Sequence, residues 1–316
     1  MSNKILITGY KGFVGSNLSA FLKQKNFEIF GVSRSRENEN FATKFFTWHQ
    51  LDEIQNQSVD VFIHLAGKAH DVKNTSSPDE YYQANTELTK KVFDTFLQSD
   101  AKVFITLSSV KAVADSVIGE LTEDVSPNPI THYGKSKLLA EQYILSKQIP
   151  EGKRVYILRP CMIHGPGNKG NLNLLYKLIS KGIPYPLAAF ENKRSFLSVE
   201  NLCFVISELL ERNDVPSGVY NVADNEALST NEIIELIAQS KNRKPRIYNI
   251  SKKLINRLAK LGNIFHFPLN TDRLQKLTEN YVVSNAKIIQ AMGKLLPLSA
   301  KEGLIKTFQS FASNAQ

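Results

Sequence analysis

A tyrosine and a lysine four residues apart can act together in proton transfer when they share one face of a helix. Tyr133 and Lys137 have this spacing, which places both side chains on the same helix face. An ammonium beside a phenol favours the phenolate and so lowers the phenol's pKa, which suits general acid–base chemistry near neutral pH. The same spacing recurs at Tyr143 with Lys147 and at Tyr248 with Lys252.

Sequence context decides among these three pairs. Only Tyr133 begins a predicted helix (133–147) after a predicted strand (102–107) that is followed by Ser108 and Ser109. That strand end places a hydroxyl donor on the side of the sheet where ligands bind. We therefore predict that Tyr133 and Lys137 are functional. The other two pairs are expected to lie on ordinary helix and loop surface.

A glycine-rich turn near the N-terminus has the composition of a phosphate-binding loop. It lies between a predicted strand, Lys4 to Thr8, and a predicted helix, Phe13 to Gln24. Glycines at intervals of three allow a tight turn and close approach to a pyrophosphate, and the helix N-terminus adds unpaired N–H groups and partial positive charge. In this strand–turn–helix context the turn predicts a dinucleotide site. Its predicted cofactor-binding residues are Thr8, Gly9, Lys11, Gly12, Phe13, Val14 and Gly15.

The end of the second predicted strand bears on which dinucleotide binds. An acidic residue there would accept hydrogen bonds from the ribose 2′-hydroxyl of NAD, but the sequence has no acid between Ser33 and Glu37. A carboxylate would repel a 2′-phosphate, whereas Arg34 would attract one, and Lys11 adds a second cation. We therefore favour NADP(H) over NAD(H). The alternative is that both cations are solvated surface charges.

The first half of the chain alternates apolar runs with amphipathic segments. The predicted strands cover 4–8, 28–32, 59–65, 102–107 and 154–158, and the predicted helices cover 13–24, 80–97 and 133–147. This alternation predicts an α/β fold, a Rossmann-type doubly wound parallel sheet. We assign residues 1–165 to it, with about 196–225 returning to the sheet. Residues 166–195 and 226–316 then form a smaller, interleaved C-terminal substrate domain.

With these motifs in place, the chain resembles the extended short-chain dehydrogenase/reductases of the nucleotide-sugar epimerase/dehydratase family, nearest to 4-keto-reductases and UDP-hexose 4-epimerases. The resemblance covers nearly the whole chain. The matching stretches are Thr8 to Gly15, His64 to Gly67, Asn85, Ser108-Ser109, Tyr133 to Lys137, Arg159-Pro160, His164 to Gly167, Lys193 to Val199 and Val219 to Val222.

The resemblance implies a role for each matching residue. Ser109 and Tyr133 would hydrogen-bond the sugar oxygen at the carbon that gains or loses hydride, and Lys137 would hold the nicotinamide ribose and lower the pKa of Tyr133. The further residues expected near the cofactor are Leu65, Ala66, Gly67, Asn85, Leu107 and Pro160. Substrate contacts are expected from His164, Arg194 and Arg273, the two arginines at the nucleotide diphosphate. A structural hydrogen bond for His164 and surface ion pairs for the arginines are the alternatives.

The sequence departs from the family pattern after the catalytic serine. Many members continue with Val-Tyr-Gly, whereas Ser109 is followed by Val110 and Lys111. The related 4,6-dehydratases carry an Asp–Glu pair at these two positions. Because a dehydratase needs extra acid/base groups to expel water, their absence argues against dehydration.

Two reactions remain, and both use the same residues. In the favoured one, NADPH reduces the 4-keto group of a UDP- or dTDP-linked deoxysugar in surface-polysaccharide biosynthesis. In the other, a retained NAD allows 4-epimerisation of a UDP-hexose such as UDP-glucose or UDP-GlcNAc. The cations at Arg34 and Lys11 favour the reductase, and the C-terminal stretch resembles the 4-keto-reductase branch. A non-catalytic NADP-binding sensor or scaffold is the alternative from another class, and the intact Ser109, Tyr133 and Lys137 set argues against it.

Composition excludes several other classes. Hydrophobic residues make up 42% and charged residues 22% of the 316 residues, as in soluble globular proteins. Two cysteines, Cys161 and Cys203, are too few for a disulfide framework or a cysteine-based zinc site, and the six histidines lack metal-ligand spacing. We therefore expect no metal, a cytoplasmic location and no nucleic-acid partner. Related folds often dimerise through two helices, so a homodimer is expected.

The positive charge is concentrated near the C-terminus. The net charge is +9, and residues 241–306 contain 14 Lys and Arg against 3 Asp and Glu. Within them, 251–265 reads as an amphipathic helix, and its apolar side chains are Leu254, Ile255, Leu258, Leu261 and Phe265. We expect this side to pack against the substrate domain while the cations attract an anionic substrate. Peripheral contact with an anionic membrane is the alternative.

Overall fold

The computed structural model describes residues 4–34, 42–51, 53–54, 57–69, 77–168, 170–265 and 270–313. Its main feature is a seven-stranded sheet in which every pairing is parallel. The strands are β1 (Lys4–Thr8), β2 (Glu28–Ser33), β3 (Lys44–Thr47), β4 (Val61–His64), β5 (Val103–Leu107), β7 (Arg154–Pro160) and β10 (Gly218–Val222). Two short pairs stand apart, β6 (Glu120–Leu121) with β11 (Val282–Val283), and β8 (Met162–His164) with β9 (Phe196–Ser198). The predicted fold class is confirmed.

The helices cover both faces of this sheet and build the C-terminal lobe, by which we mean residues 166–195 and 226–316. In chain order they are α1 (Phe13–Gln24), α2 (Pro78–Tyr81), α3 (Leu88–Gln98), α4 (His132–Leu145), α5 (Asn171–Ser180), α6 (Val199–Glu211), α7 (Thr230–Ser240), α8 (Lys252–Phe265), α9 (Thr271–Thr278), α10 (Ala286–Met292) and α11 (Ala300–Ser313). No helix among the described residues is long and apolar enough to cross a membrane.

The strand order is β10-β7-β5-β4-β1-β2-β3. The chain therefore moves outward from β1 through β2 and β3, then continues on the other side of β1 with β4. The switch point lies between β1 and β4, and ligands of such sheets bind beyond the carboxyl ends of the strands at this point. The glycine turn follows β1 and the segment from Leu65 follows β4, so both lie at the expected place.

Apolar side chains on both faces explain why these strands are buried. One cluster joins β1, β4 and β5 through residues such as Ile5, Ile63 and Ile105 to helices α1 and α6. A second joins the opposite face of the same strands, including Leu6 and Phe104, to α3. Near-continuous apolar strands covered on both faces are typical of parallel sheets.

Two elements of the sheet layer differ from the sequence expectation. Strand β3 was not predicted, since it is only four residues long and lies at the sheet edge. The helix predicted over 80–97 extends from Pro78 to Gln98, and its middle, Tyr82–Glu87, is a wider π-helical turn. Such turns are rare and occur frequently at functional sites. This one contains Asn85.

The C-terminal lobe has its own core. Helices α5, α7 and α11 meet around Tyr176, Ile233 and Phe308. A capping box at Ser229 begins α7, since the Ser229 hydroxyl and the Glu232 carboxylate bond reciprocally to the backbone. The strand that follows α6, β10, pairs with β7 and so brings the chain back to the main sheet.

Helix α8 matches the predicted bounds, but its packing differs from the expectation. Ile255 and Ala259 are buried against the lobe, whereas Leu254, Leu258 and Leu261 are 49%, 46% and 45% exposed. The prediction that the whole apolar side packs against the domain is therefore wrong for these three leucines. The side chain of Phe265 lies outside the described residues.

Candidate active site

The first predicted catalytic group, Ser109, lies at the end of β5. The chain leaves β5 at Leu107 and turns sharply at Ser109, whose side-chain oxygen accepts a hydrogen bond from the backbone N–H of Lys111 at 3.2 Å. Ser109 is 7% exposed. The turn therefore fixes the serine hydroxyl at the carboxyl edge of the sheet.

The beginning of α4 brings Tyr133 to this serine. Thr131 caps the helix by accepting from the N–H of Gly134 at 3.2 Å, and the carboxylate of Asp115 accepts from the N–H of Ile130 at 2.6 Å. A Cβ on Gly134 would lie 2.3 Å from the carbonyl oxygen of Lys111. Only glycine lets the helix approach the β5 turn so closely, and the hydroxyl of Tyr133 hydrogen-bonds Ser109 as a result.

The electrostatics of Tyr133 differ from the expectation. Burial raises the pKa of the phenol above its usual value, the hydrogen bond with Ser109 lowers it only in part, and Tyr81 raises it further. The predicted lowering of this pKa by Lys137 is therefore wrong for the protein alone. The physical reason is that loss of hydration penalises the phenolate, so Tyr133 holds its proton in this state.

Lys137 lies one helical turn beyond Tyr133. Its ammonium donates a hydrogen bond to the carbonyl oxygen of Leu107 at 2.9 Å, which ties α4 to the end of β5. Burial lowers the pKa of Lys137 to about 8, although Glu141 opposes this shift. A Cβ on Gly67 would lie 3.2 Å from the ammonium and 2.8 Å from the side-chain oxygen of Asn85. Gly67 therefore leaves the lysine open to a ligand approaching from the switch point.

The glycine turn has the shape expected for a phosphate cradle. Gly9 has φ +71°, where L side chains are strained, and a Cβ on it would lie 2.7 Å from the backbone nitrogen of Ala66. A Cβ on Gly15 would lie 2.3 Å from the carbonyl oxygen of Gly9. Gly12 is the N-cap of α1 and has no side chain to cap the helix, so no N-cap side chain competes for the first backbone N–H groups. These residues fit a dinucleotide pyrophosphate.

A buried chain of hydrogen bonds joins β1, β4 and the helix that contains the π turn. The Nδ1 atom of His64 lies 2.7 Å from the hydroxyl of Thr8, and its Nε2 atom lies 3.0 Å from the hydroxyl of Thr89. Thr89 donates its own proton to the carbonyl oxygen of Asn85, so Nε2 must carry the imidazole proton and Nδ1 accepts from Thr8. Burial and the nearby Lys137 lower the pKa of His64 to about 3, which keeps the ring neutral.

Asn85 lies at the end of this chain and is completely buried. Its side-chain oxygen accepts from the N–H of Lys68 at 2.8 Å, and its nitrogen donates to the carbonyl of Lys68 and to the hydroxyl of Ser136. These contacts commit the amide to the protein, so we assign Asn85 to positioning the loop at Gly67 rather than to direct cofactor contact. Ser136 lies between Tyr133 and Lys137, so the same bonds fix the first turns of α4.

The remaining predicted cofactor residues surround the switch point. Leu65 and Ala66 follow β4, and the N–H of Ala66 donates to the Thr8 hydroxyl at 3.2 Å. Pro160 ends β7. Arg34 follows β2 and is exposed, while Lys11 is partly buried within the glycine turn with its ammonium 5.7 Å from the ring centre of Tyr10.

The three predicted substrate residues, Arg194, Arg273 and His164, have different placements in the structure. Arg194 lies in the C-terminal lobe and pairs with Glu279 at 3.6 Å, with its side chain 23% exposed. Arg273 belongs to α9, but its side chain lies outside the described residues. His164 is completely buried, with Nδ1 at 2.9 Å from the hydroxyl of Thr307 in α11. This placement corrects the expectation of a sugar contact for His164 and favours its structural alternative.

Sequence reasoning gave no site role to Lys111, although it noted the residue as a departure. Its ammonium lies 4.1 Å from the ring centre of Tyr281 and donates to the carbonyl oxygen of Asp115 at 2.7 Å. Burial and the nearby cation of Arg194 lower the pKa of Lys111, while Glu279 and Asp115 oppose the shift. Lys111 therefore lies close to Arg194, two residues after Ser109 in the chain, and the carboxylates of Glu279 and Asp115 partly balance the two cations.

Sequence reasoning also missed two residues that support Tyr133 and α4, namely Tyr81 and Glu141. The ring of Tyr81 packs edge-on against that of Tyr133, with 6.2 Å between their centres. Under α4, Glu141 accepts from the Nε of Arg159 at 2.9 Å and also from the hydroxyl of Ser108. Spacing from Lys137 places Glu141 on the same helix face, and this was the available signal.

The profile of the NAD dependent epimerase/dehydratase family matches residues 5–223. The chain is 27% identical to a UDP-glucose 4-epimerase of Vibrio cholerae, over 98% of this chain and 96% of that protein. It is 25% identical to a GDP-6-deoxy-D-mannose reductase of Pseudomonas aeruginosa, over 75% of this chain and 80% of that protein.

Solved structures share the fold. The structure described as MoeE5 in complex with UDP-glucose and NAD superposes with a TM-score of 0.77, at 20% sequence identity, and the match covers 99% of this chain and all of that one. At this identity the similarity establishes the fold. The superposition also covers nearly all of residues 224–316, which lie beyond the family profile.

Proposed function

Because this chain belongs to the NAD dependent epimerase/dehydratase family, and is therefore an enzyme of nucleotide-sugar chemistry, we propose that it reduces the 4-keto group of a UDP- or dTDP-linked deoxysugar with NADPH. The observation that supports oxidoreduction is the contact of Ser109 with Tyr133 beside Lys137 at the switch point. When bound, the nicotinamide cofactor supplies or accepts the hydride.

Each catalytic residue has a defined task in this proposal. Tyr133 donates its proton to the substrate oxygen as hydride reaches the carbon, and its raised pKa keeps that proton available in the free enzyme. Ser109 donates a hydrogen bond to the same oxygen and stabilises the charge that develops there. Lys137 holds the cofactor ribose, and Lys111 with Arg194 attracts the diphosphate of the substrate.

The assignment of NADPH depends on the cations near the adenosine end of the cofactor site. Arg34 follows β2 directly, where an NAD enzyme would carry an acid, and Lys11 lies in the glycine turn that follows the neighbouring strand β1. A 2′-phosphate would receive charge-assisted hydrogen bonds from both. A reductase must exchange its oxidised cofactor after every turnover, which suits a weakly retained NADP(H).

Epimerisation at C4 is the second candidate, and the comparisons favour it specifically. A UDP-glucose 4-epimerase matches this chain over nearly its whole length, and the structure described with UDP-glucose bound also contains NAD. In that reaction Tyr133 first accepts the proton of the 4-hydroxyl and later returns it. A tightly retained NAD would suffice because no net oxidation occurs.

The nucleotide content of the freshly purified protein separates these two functions. Denaturation releases any bound dinucleotide, which is then identified and quantified. We expect little bound nucleotide and much tighter binding of added NADPH than of NADH, followed by NADPH oxidation when a 4-keto nucleotide sugar is supplied. Near-stoichiometric NAD would contradict the reductase and support the epimerase.

An Arg34→Ser variant tests the cofactor assignment directly. Loss of one charge-assisted contact should weaken NADPH binding about tenfold and leave NADH binding unchanged. Arg243→Ser, which removes an exposed arginine of the C-terminal lobe, is the matched control and should change neither. Equal losses for NADPH and NADH in Arg34→Ser would show that the arginine does not contact the 2′-phosphate.

A further inference from the structure

Helix α8 carries a threefold sequence pattern that the catalytic site does not use. Each unit is a cation, a leucine and a residue that packs against the lobe. The three units are Lys253-Leu254-Ile255, Arg257-Leu258-Ala259 and Lys260-Leu261-Gly262. They begin at positions i, i+4 and i+7, which lie on one side of a helix. The helix therefore carries three parallel stripes, one buried, one of leucines and one of cations.

The structure shows which stripe contacts the protein. Ile255 and Ala259 are 2% and 0% exposed and pack with Ile234 and Leu274 in the core of the C-terminal lobe. The leucine stripe lies 100° around the helix from them and is nearly half exposed at every position. The neighbouring helix α9 adds Leu277, which is 41% exposed.

A leucine stripe of this kind is unusual on a soluble surface. Single exposed leucines are common, but aligned leucines on one helix form a continuous apolar ridge. From Leu254 to Leu261 the ridge is about 10 Å long, at 1.5 Å per residue. Because the leucine side chains project outward, the ridge could insert into a fluid apolar phase such as the acyl region of a bilayer.

The charge around the ridge identifies that medium. The stripe of Lys253, Arg257 and Lys260 runs directly beside the leucines, and all three residues are exposed. The sequence of α8 contains no Asp or Glu. The segment just before the helix contains three further exposed cations, Arg243, Lys244 and Arg246. Apolar side chains beside a row of cations are complementary to an anionic lipid surface.

We propose that the exposed face of α8, formed by Leu254, Leu258 and Leu261 with Lys253, Arg257 and Lys260, binds the surface of an anionic phospholipid bilayer. The helix lies parallel to the membrane, its leucines enter the boundary between headgroups and acyl chains, and its cations contact the phosphates. This inference does not depend on which sugar reaction the enzyme performs.

Vesicle sedimentation tests the proposal on the full chain. Vesicles of phosphatidylcholine alone are compared with vesicles that also contain phosphatidylglycerol. We expect sedimentation with the anionic vesicles, a smaller bound fraction as salt rises, and little binding to the neutral ones. Absence of binding to anionic vesicles at low salt would overturn the proposal.

Two variants separate insertion from simple charge attraction. Leu254→Gln/Leu258→Gln/Leu261→Gln should reduce vesicle affinity about tenfold or more, because the apolar contact is lost. Lys253→Ser/Arg257→Ser/Lys260→Ser should reduce affinity and flatten its salt dependence. The matched control changes three exposed leucines elsewhere, Leu139→Gln/Leu145→Gln/Leu295→Gln, and should bind as the wild type does. Unchanged affinity of the first variant would overturn insertion.

An environment-sensitive dye gives a direct readout of depth. Both native cysteines are buried and free, so Leu258→Cys provides a single exposed site for labelling. We expect a blue shift of dye emission with anionic vesicles and none without them. A blue shift that appears only with rising protein concentration, together with dimers in sedimentation velocity, would overturn the proposal and identify the ridge as an interface between two copies of the chain.

Discussion

The Tyr-x-x-x-Lys spacing occurs at both ends of helix α4, although Lys147 lies two residues past the last helical residue, Leu145. At its beginning, burial lowers the pKa of Lys137 to about 8. At its end, the pKa of Lys147 is raised by its interaction with Tyr143. The same spacing at the two ends of one helix therefore accompanies lysine pKa values that are shifted in opposite directions, and the surroundings decide the direction.

The difference lies in what each tyrosine contacts. Tyr133 faces Ser109 across the carboxyl edge of the sheet. Tyr143 donates its hydroxyl to the carboxylate of Asp94 on α3, at 2.8 Å to either oxygen, and Lys147 lies over its ring. The first pair faces the space beyond the strand ends, where a ligand can approach. The second pair lies at the opposite end of α4, where Tyr143 joins this helix to α3. Position relative to the sheet thus distinguishes chemistry from packing.

The largest expected difference between the two ends of α4 is in kcat, when the hydroxyl of Tyr133 or of Tyr143 is removed. Tyr133→Phe should lower kcat about 10²- to 10⁴-fold, because the proton donor is lost. Tyr143→Phe should keep kcat within about twofold and lose about 1–2 kcal/mol of unfolding free energy, because a hydrogen bond to a charged acceptor is removed. Steady-state kinetics and urea denaturation measure the two effects. Similar kcat losses in both variants would contradict the assignment of Tyr133 to chemistry and Tyr143 to packing.

The two lysines provide a smaller effect with a pH signature. Lys137→Met should lower kcat/KM about 10- to 100-fold, since charge-assisted bonds to the cofactor are lost, while Lys147→Met should leave it unchanged. In the wild type the free-enzyme pKa of Lys137 is about 8, so its ammonium is present below pH 8 and lost above it. Cofactor affinity should therefore fall as pH rises above about 8.

That pH dependence has its own control. Titration of cofactor affinity from pH 7 to pH 10 should give a decline for the wild type and for Lys147→Met, but a flat profile for Lys137→Met. A decline of equal size in Lys137→Met would assign it to another group and leave the two lysines alike.

Local sequence signals were sufficient to predict the elements around the cofactor end of the sheet. The bounds of β1 and α1 agree with prediction, because short apolar runs and helix periodicity are local properties. The strand that precedes Ser109 favours Tyr133 over the two similar pairs, and the structure places this tyrosine against Ser109. The direction of the Tyr133 pKa could not be predicted, since it depends on how completely neighbouring elements exclude water, and spacing carries no such information.

Long-range packing explains the remaining errors. His164 contacts Thr307, which is 143 residues away in the sequence, and no local pattern indicates that contact. On α8, two adjacent stripes are apolar, and either could face the lobe when judged by periodicity alone. The shape of the lobe around Ile234 and Leu274 accommodates Ile255 and Ala259, and the leucines are consequently left outside.

A buried hydrogen-bond network holds the beginning of α4 in place. Its pH dependence gives the smallest of the expected effects, a change in the free energy of unfolding. His64, through Thr89 and Asn85, connects to Ser136 between Tyr133 and Lys137. The folded-state pKa of His64 is about 3, below its ordinary value of 6.5, so the unfolded chain binds more protons between these values. Stability should therefore fall as pH drops below 6.5, by about 2 kcal/mol between pH 7 and pH 5.

His64→Gln isolates this contribution, because an amide can accept from Thr8 and donate to Thr89 without titrating. Urea denaturation at pH 7 and pH 5 should show a loss of unfolding free energy in the wild type that is about 2 kcal/mol larger than in His64→Gln. Equal losses would mean that His64 is not the acid-sensitive group. A larger loss in the wild type would place the acid sensitivity in the network that holds the beginning of α4, where Tyr133 lies. Among the described residues, the hydrogen bonds of Tyr143 at the other end of the helix involve Asp94 and Ser146 and no histidine.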